Sequence, residues 1–178
     1  MDELIKLDTS FNKSMFITKA NNIFIMLHTA IMTDDLNRVR HYLSPELEKK
    51  YEKLIQEYKD NNLRKMYDEL NVKTNNITNV EIRDDKAIIK IELVSRYMDY
   101  FINKDTGEYV SGENTRRVEK INNLVFEKTI GSNYKNIARS CPGCGANIDV
   151  NSNGKCEYCG AIFNTEDYDW ILTSIETI

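Results

Sequence analysis

Proline is almost missing from this chain, with two residues in 178, and glycine is scarce at seven. Turn-rich all-β architectures need many such residues, so the counts argue against them. Positive charge is also in short supply: 24 basic residues face 28 acidic ones, for a net charge of −4. A chain of that sign lacks the electrostatic footprint of a general nucleic-acid binder and has no bulk attraction for anionic lipid. No apolar run approaches the roughly 20 residues that a membrane-spanning helix needs. The most apolar stretch near the start, Ile23 to Leu27, ends at His28 and Thr29. Met1-Asp2-Glu3 is acidic where an export signal is basic. These absences predict a cytoplasmic protein with no transmembrane segment, placed at the membrane face only if a longer parent chain supplies an anchor. A G-x-S-x-G elbow, a phosphate loop and a dinucleotide fingerprint are missing too.

What is present is a soluble composition, 41 % hydrophobic and 29 % charged. That suits one domain, or one domain and a small module. Phe16, Ala20, Ile23, Phe24, Leu27 and Ile31 fall at helical spacing and predict an amphipathic helix from Ser14 to Met32. Asp34 and Asp35 suit the start of a short second helix through Leu43. Ser44-Pro45-Glu46 is a cap, a first-turn proline and a first-turn acid. Leu47, Tyr51, Leu54, Ile55 and Tyr58 then mark one face of a third helix, ending near Lys59. Leu63 to Leu70 is read as a further helical turn or two. Beyond Leu70 the period becomes two. Strands are expected around Ile77–Ile82, from Ala87 to Phe101, from Val118 to an end at Ile130-Gly131 and from Trp170 to Ile175, with a hairpin loop at Asn103–Gly107. Helices first and antiparallel strands afterwards make an α+β fold, helices packed on one face of a curved, cone-like sheet. Phe24, Leu27, Leu54, Ile91, Leu93, Phe126 and Leu172 are the expected core.

Four cysteines interrupt the pattern. Cys141-Pro142-Gly143-Cys144-Gly145 and Cys156-Glu157-Tyr158-Cys159-Gly160 are two C-x-x-C-G turns with eleven residues between them. Each turn aims two sulfurs at one point, and the glycine after each pair accepts a left-handed conformation. Two such turns complete a four-thiolate tetrahedron, which predicts one structural zinc bound by Cys141, Cys144, Cys156 and Cys159. Iron suits the same ligands. A redox dithiol needs no twin, and two disulfides require an oxidising compartment. A closed four-cysteine site leaves no position for substrate. The eleven-residue gap holds a hairpin turning at Asn151–Gly154. Between Tyr134 and Tyr168 three basic residues face four acidic ones. A phosphate-binding ribbon would carry clustered cations instead.

Other polar residues have plainer readings. His28 sits at the edge of the helical stripe as a satisfied core histidine, and His41 serves as a helix C-terminal cap. Asp99 and Tyr100 form an acid–phenol pair that could move protons, but a solvated carboxylate at a strand edge is the preferred reading. The tyrosines are assigned to core and rim rather than to a ligand cage. Arg116-Arg117 and Lys49-Lys50 are solvated faces.

Taken in order, Leu7-Asp8, Phe11, Phe16, Ile23-Phe24, Leu27, Ala30, Asp35-Leu36, Arg40, Leu43-Ser44 and Leu47 resemble the opening of Tim44-like domains. Asp99-Tyr100, Asp105-Thr106-Gly107, Val110 and Gly112 resemble the middle of the bacterial branch. Leu124, Phe126 and Lys128, then the Cys-Pro-x-Cys-Gly-Ala ribbon, then Asp169-Trp170, Leu172 and Ile175 resemble its end. The resemblance implies a fold like the nuclear transport factor two superfamily, with helices and sheet around an apolar pocket. It also implies a non-enzymatic scaffold whose pocket or sheet face meets a protein, a lipid or a membrane surface. The targeting and chaperone-recruiting segments of the mitochondrial member have no counterpart in these residues, so an import role is not expected. The alternatives are an isomerase- or dehydratase-like enzyme in the same pocket, and a nucleic-acid-binding ribbon. Residues 11–133 and 169–178 are expected to form the α+β domain, and 134–168 the inserted ribbon.

Overall fold

A computed structural model describes residues 1–130, 139–141, 144–148, 156–160 and 170–178. The chain opens with α1 (Asp2–Leu7) and α2 (Lys13–Thr33), passes a single 3-10 turn (Arg40–Tyr42), and forms α3 (Pro45–Asp60). Three long strands follow: β1 (Leu63–Arg83), β2 (Lys86–Asn103) and β3 (Tyr109–Thr129). Two short strands, β4 (Arg139–Ser140) and β5 (Asn147–Ile148), precede β6 (Ile171–Thr177). The main sheet is antiparallel and open, in the order β1-β2-β3-β6. The fold is therefore α+β, with the N-terminal helices on one face of a four-stranded sheet and the cysteines lying between β3 and β6.

Local chemistry accounts for the two long helices. Asn12 caps α2, its side chain accepting from the Met15 N–H at 3.0 Å. Ser44 caps α3, accepting from Leu47 N–H at 3.2 Å, with Pro45 in the first turn. The Ser44 N–H donates to the Leu172 carbonyl at 2.9 Å, pinning the α3 start to β6. Odd-numbered residues of β2 face the helices: Ala87, Ile89, Ile91 and Leu93 are at most 1 % exposed. They meet Leu124, Phe126 and Leu172 from the neighbouring strands and Ile23, Phe24 and Leu27 from α2. Leu54 packs at the margin of this core. Asn122, fully buried, is satisfied: its side-chain N–H donates to Ser95 Oγ at 2.9 Å, and its oxygen accepts from Thr177 Oγ1 at 2.8 Å.

The sequence reading departs from the fold in five places, one of them the start of β3, which lies at Tyr109 rather than Val118. α1 was not anticipated; Leu4 is its one fully buried residue, too little to make a periodic signal. Asp34 ends α2 rather than starting a helix: its φ is +58° and its N–H closes onto the Ala30 and Ile31 carbonyls. The predicted second helix reduces to the 3-10 turn at Arg40–Tyr42. Leu63 to Leu70, read as helical, is the start of β1 and pairs with Met98–Asn103. The loss of alternation there comes from bulges. Register shifts at Asp68/Asn71, Val72/Thr74 and Ile77/Asn79 each insert extra residues, so the inward positions Val72, Asn75, Ile77 and Val80 are spaced by threes as well as twos. The hairpin turn predicted at Asn151–Gly154 and both ends of the ribbon lie outside the described residues.

Candidate metal centre

Each cysteine pair sits in a tight turn. In the first, Gly145 N–H donates to the Cys141 carbonyl at 2.8 Å, and Cys141 N–H to the Ala146 carbonyl at 2.7 Å. In the second, Gly160 N–H donates to the Cys156 carbonyl at 2.9 Å. Gly145 and Gly160 have φ of +73° and +72°, the left-handed conformation the C-x-x-C-G pattern predicts. β4 and β5 pair antiparallel beside the first turn, Arg139 opposite Ile148 and Ser140 opposite Asn147.

The turns bring all four Sγ atoms within 4.8 Å of one another. Cys141 and Cys159 Sγ are 3.5 Å apart, and Cys144 and Cys156 Sγ 3.7 Å. A disulfide bond measures about 2.05 Å, so these are free thiols. Around a zinc with bonds of ~2.3 Å, tetrahedral sulfur ligands are separated by ~3.8 Å. Each turn supplies one buried sulfur, Cys141 or Cys156, and one at the surface, Cys144 or Cys159. Backbone N–H groups of Cys159 and Tyr158 lower the Cys156 thiol, while at Cys144, against the opposing Ala146 N–H, desolvation and the neighbouring sulfurs raise it. The four cysteines are positioned to hold a metal ion, and the donor set fits a four-thiolate site with no place left for substrate.

The remaining residues singled out in the sequence are scattered. His28 is 6 % exposed, and its Nδ1 bonds the Phe24 carbonyl at 2.9 Å. Burial pulls its pKa down to about 4, so it is neutral. His41 lies on the 3-10 turn with its ring 4.2 Å from Tyr42, and burial lowers it to about 4 as well. Asp99 is not a solvated edge carboxylate. It stands on the helix-facing side of the central strand β2, in ion pairs with Lys65 and, at 3.7 Å, Lys120. Tyr100, next in sequence, points to the opposite face by strand alternation and bonds Asp68 at 2.5 Å. The acid and the phenol therefore cannot act together. Arg116, Arg117, Lys49 and Lys50 are exposed as expected.

A second feature is an apolar groove of about 740 Å³ beside α2. Phe11, Phe16, Ile25, Met26 and Trp170 line it, together with Asp8 and Lys128. Lys128 donates to Asp8 at 2.7 Å, and both side chains are nearly buried. No residue of this groove was legible in the sequence as a pocket residue, because it is assembled from segments more than 100 residues apart. Among the described residues no helix is long and apolar enough to cross a membrane.

An open antiparallel sheet with N-terminal helices on one face and a four-cysteine module before the last strand defines a class of small α+β domains. The sequence model of the Tim44-like domain matches residues 1–137, and the chain belongs to that family. No characterised protein matches the chain in sequence. Among solved structures the chain is similar to the intermembrane space region of the chloroplast protein ARC6, at 12 % identity and a TM-score of 0.45, over 91 % of this chain and 95 % of that one.

Proposed function

We propose that this is a non-enzymatic scaffold domain that receives an apolar segment of a protein or lipid partner in the groove beside α2. Its ribbon is held by one structural zinc on Cys141, Cys144, Cys156 and Cys159. The observation carrying this reading is the groove itself: mostly apolar, open to one side and walled by Phe11, Phe16, Met26 and Trp170. Such clefts with a few fixed polar groups are the usual form of a binding site. Met15 and Met26 give the lip adaptable side chains, suited to partners of varied shape. Membership of a family known for protein- and membrane-associated scaffolds supports the same reading. A net charge of −4 gives the isolated chain little attraction for anionic vesicles, so the apolar contact must carry the binding.

The test uses Trp170, the single tryptophan, which lines the groove. Titration with a single-chain lysophospholipid below its micelle concentration is expected to give a saturable change in tryptophan emission. Met26→Asp should abolish it while leaving the circular-dichroism spectrum intact. An emission change that never saturates, or one unaffected by Met26→Asp, overturns the groove as the binding surface.

A further inference from the structure

The four cysteines of the metal centre are unevenly covered. Cys141 and Cys156, the first cysteine of each turn, are 2 % and 1 % exposed, whereas Cys144 and Cys159, the second of each, lie at the surface. The neighbours of the surface pair leave it open. Gly145 follows Cys144 and Gly160 follows Cys159; both are exposed, and neither carries a side chain. Tyr158, just before Cys159, is 77 % exposed.

The surface sulfurs also have partners across the centre. Cys159 Sγ lies 3.5 Å from Cys141 Sγ, and Cys144 Sγ 3.7 Å from Cys156 Sγ. Each pair joins a surface sulfur to a buried one and takes one sulfur from each turn. The two pairs share no atom, so together they use all four cysteines. Closing either pair to a disulfide of about 2.05 Å needs a movement of roughly 1.5 Å, within reach of side-chain rotation once no metal holds the sulfurs apart. Metal-bound sulfurs are thiolates, the form that peroxides attack. The centre has no open position for a substrate, but its surface sulfurs are themselves nucleophiles.

We propose that the ribbon is a redox modification site, in which a hydroperoxide oxidises Cys144 and Cys159 and each then forms a disulfide with the buried cysteine of the opposite turn, Cys156 and Cys141, with loss of the metal. With hydrogen peroxide, the Cys144 thiolate attacks one oxygen and the O–O bond breaks. That oxygen stays on sulfur as a sulfenic acid, and the other leaves as hydroxide. The Cys156 thiolate then attacks the Cys144 sulfur, the S–S bond forms, and the sulfenic oxygen leaves as a second hydroxide. One electron pair passes from the two sulfurs to one peroxide. Cys159 and Cys141 consume a second peroxide in the same way. A disulfide sulfur carries no negative charge and is a poor ligand, so the centre gives up its metal. Because both disulfides cross between the turns, they keep the turns joined after the metal is gone. A disulfide within either C-x-x-C turn would leave them unlinked. Reduction by a dithiol returns the four thiolates to the same arrangement.

Resting on the four-thiolate reading of the centre, this chemistry is tested on the full chain, purified under reductant, loaded with zinc and then treated with hydrogen peroxide. A chromogenic chelator should record release of about one zinc per chain for about two peroxides consumed. Trypsin cuts after Lys155, between the turns, so cross-turn disulfides leave the two cysteine peptides joined. Fragmentation should map the links as Cys144 to Cys156 and Cys141 to Cys159. Brief exposure with a dione that traps sulfenic acids should label Cys144 and Cys159 and spare Cys141 and Cys156. Dithiothreitol and added zinc should restore the starting mass and metal content. Disulfides within the turns, trapping at the buried sulfurs, or metal retained in excess peroxide overturn the proposal and leave the four-thiolate reading standing. A reduced chain that takes up no zinc overturns both.

Discussion

Lys128 on β3 and Asp8, 120 residues earlier in the chain, meet at 2.7 Å with their side chains 8 % and 11 % exposed. This pair ties the link between α1 and α2 to the sheet, and both residues line the apolar groove. Burial alone would raise the Asp8 carboxyl, but hydrogen bonds from Lys128 and Ser10 outweigh it and hold the group below its usual 3.8. A depressed carboxylate stabilises the fold above its unfolded pKa, and that stability is lost as pH falls through the folded value. Melting temperatures of the native chain should therefore drop as pH goes from about 5 to below 4. Asp8→Asn should flatten this part of the profile. Lys128→Met leaves Asp8 without its Lys128 contact and should cost about 2–3 kcal/mol in urea unfolding, the lower end for a buried pair because Asp8 keeps some solvent contact.

The metal centre predicts a composition. Elemental analysis of the purified chain should find about one zinc per chain, and X-ray absorption should give four sulfur ligands at ~2.3 Å. Intact-mass measurement should find four thiols. Two disulfides, or no metal, would exclude the four-thiolate site.

If the ribbon is an insertion, it should be dispensable. Replacing residues 134–168 by a short Gly-containing turn should leave a cooperatively melting domain, because the core of Phe24, Ile91, Leu93, Phe126 and Leu172 includes no cysteine. Cys144→Ser should disorder the ribbon, whose folding energy comes largely from the metal, while most of the helical circular-dichroism signal survives. A soluble but molten deletion variant would place the ribbon within the core.

Gly112 allows a close approach between strands. Its φ is +107°, and a Cβ there would lie 2.5 Å from the Asp99 carbonyl oxygen and the Tyr100 Cα. Gly112→Ala should destabilise the chain by about 2 kcal/mol in urea unfolding. Gly107→Ala meets no neighbouring atom. It should cost about 1 kcal/mol, the backbone penalty alone.

The sequence alone settled what short-range chemistry settles. Ser44-Pro45-Glu46 fixed the start of α3, because a cap and a first-turn proline act within one helical turn. The alternation from Ala87 to Leu93 fixed the inward face of β2, and the two C-x-x-C-G turns were legible because their geometry lies within five residues. The family resemblance carried the order of helices and strands that the fold displays. Tertiary structure decided the rest. Leu63 to Leu70 has no strand pattern of its own and becomes one because Met98–Asn103 offers its unpaired backbone. Bulges then hide the period of β1 by shifting its phase at three points. Asp99 reads as solvated until Lys65 and Lys120 are brought to it from the strands on either side. The groove is likewise made by segments far apart in the chain. Strand pairing selects partners by long-range packing rather than local propensity, and a single sequence records the propensities but not the pairing.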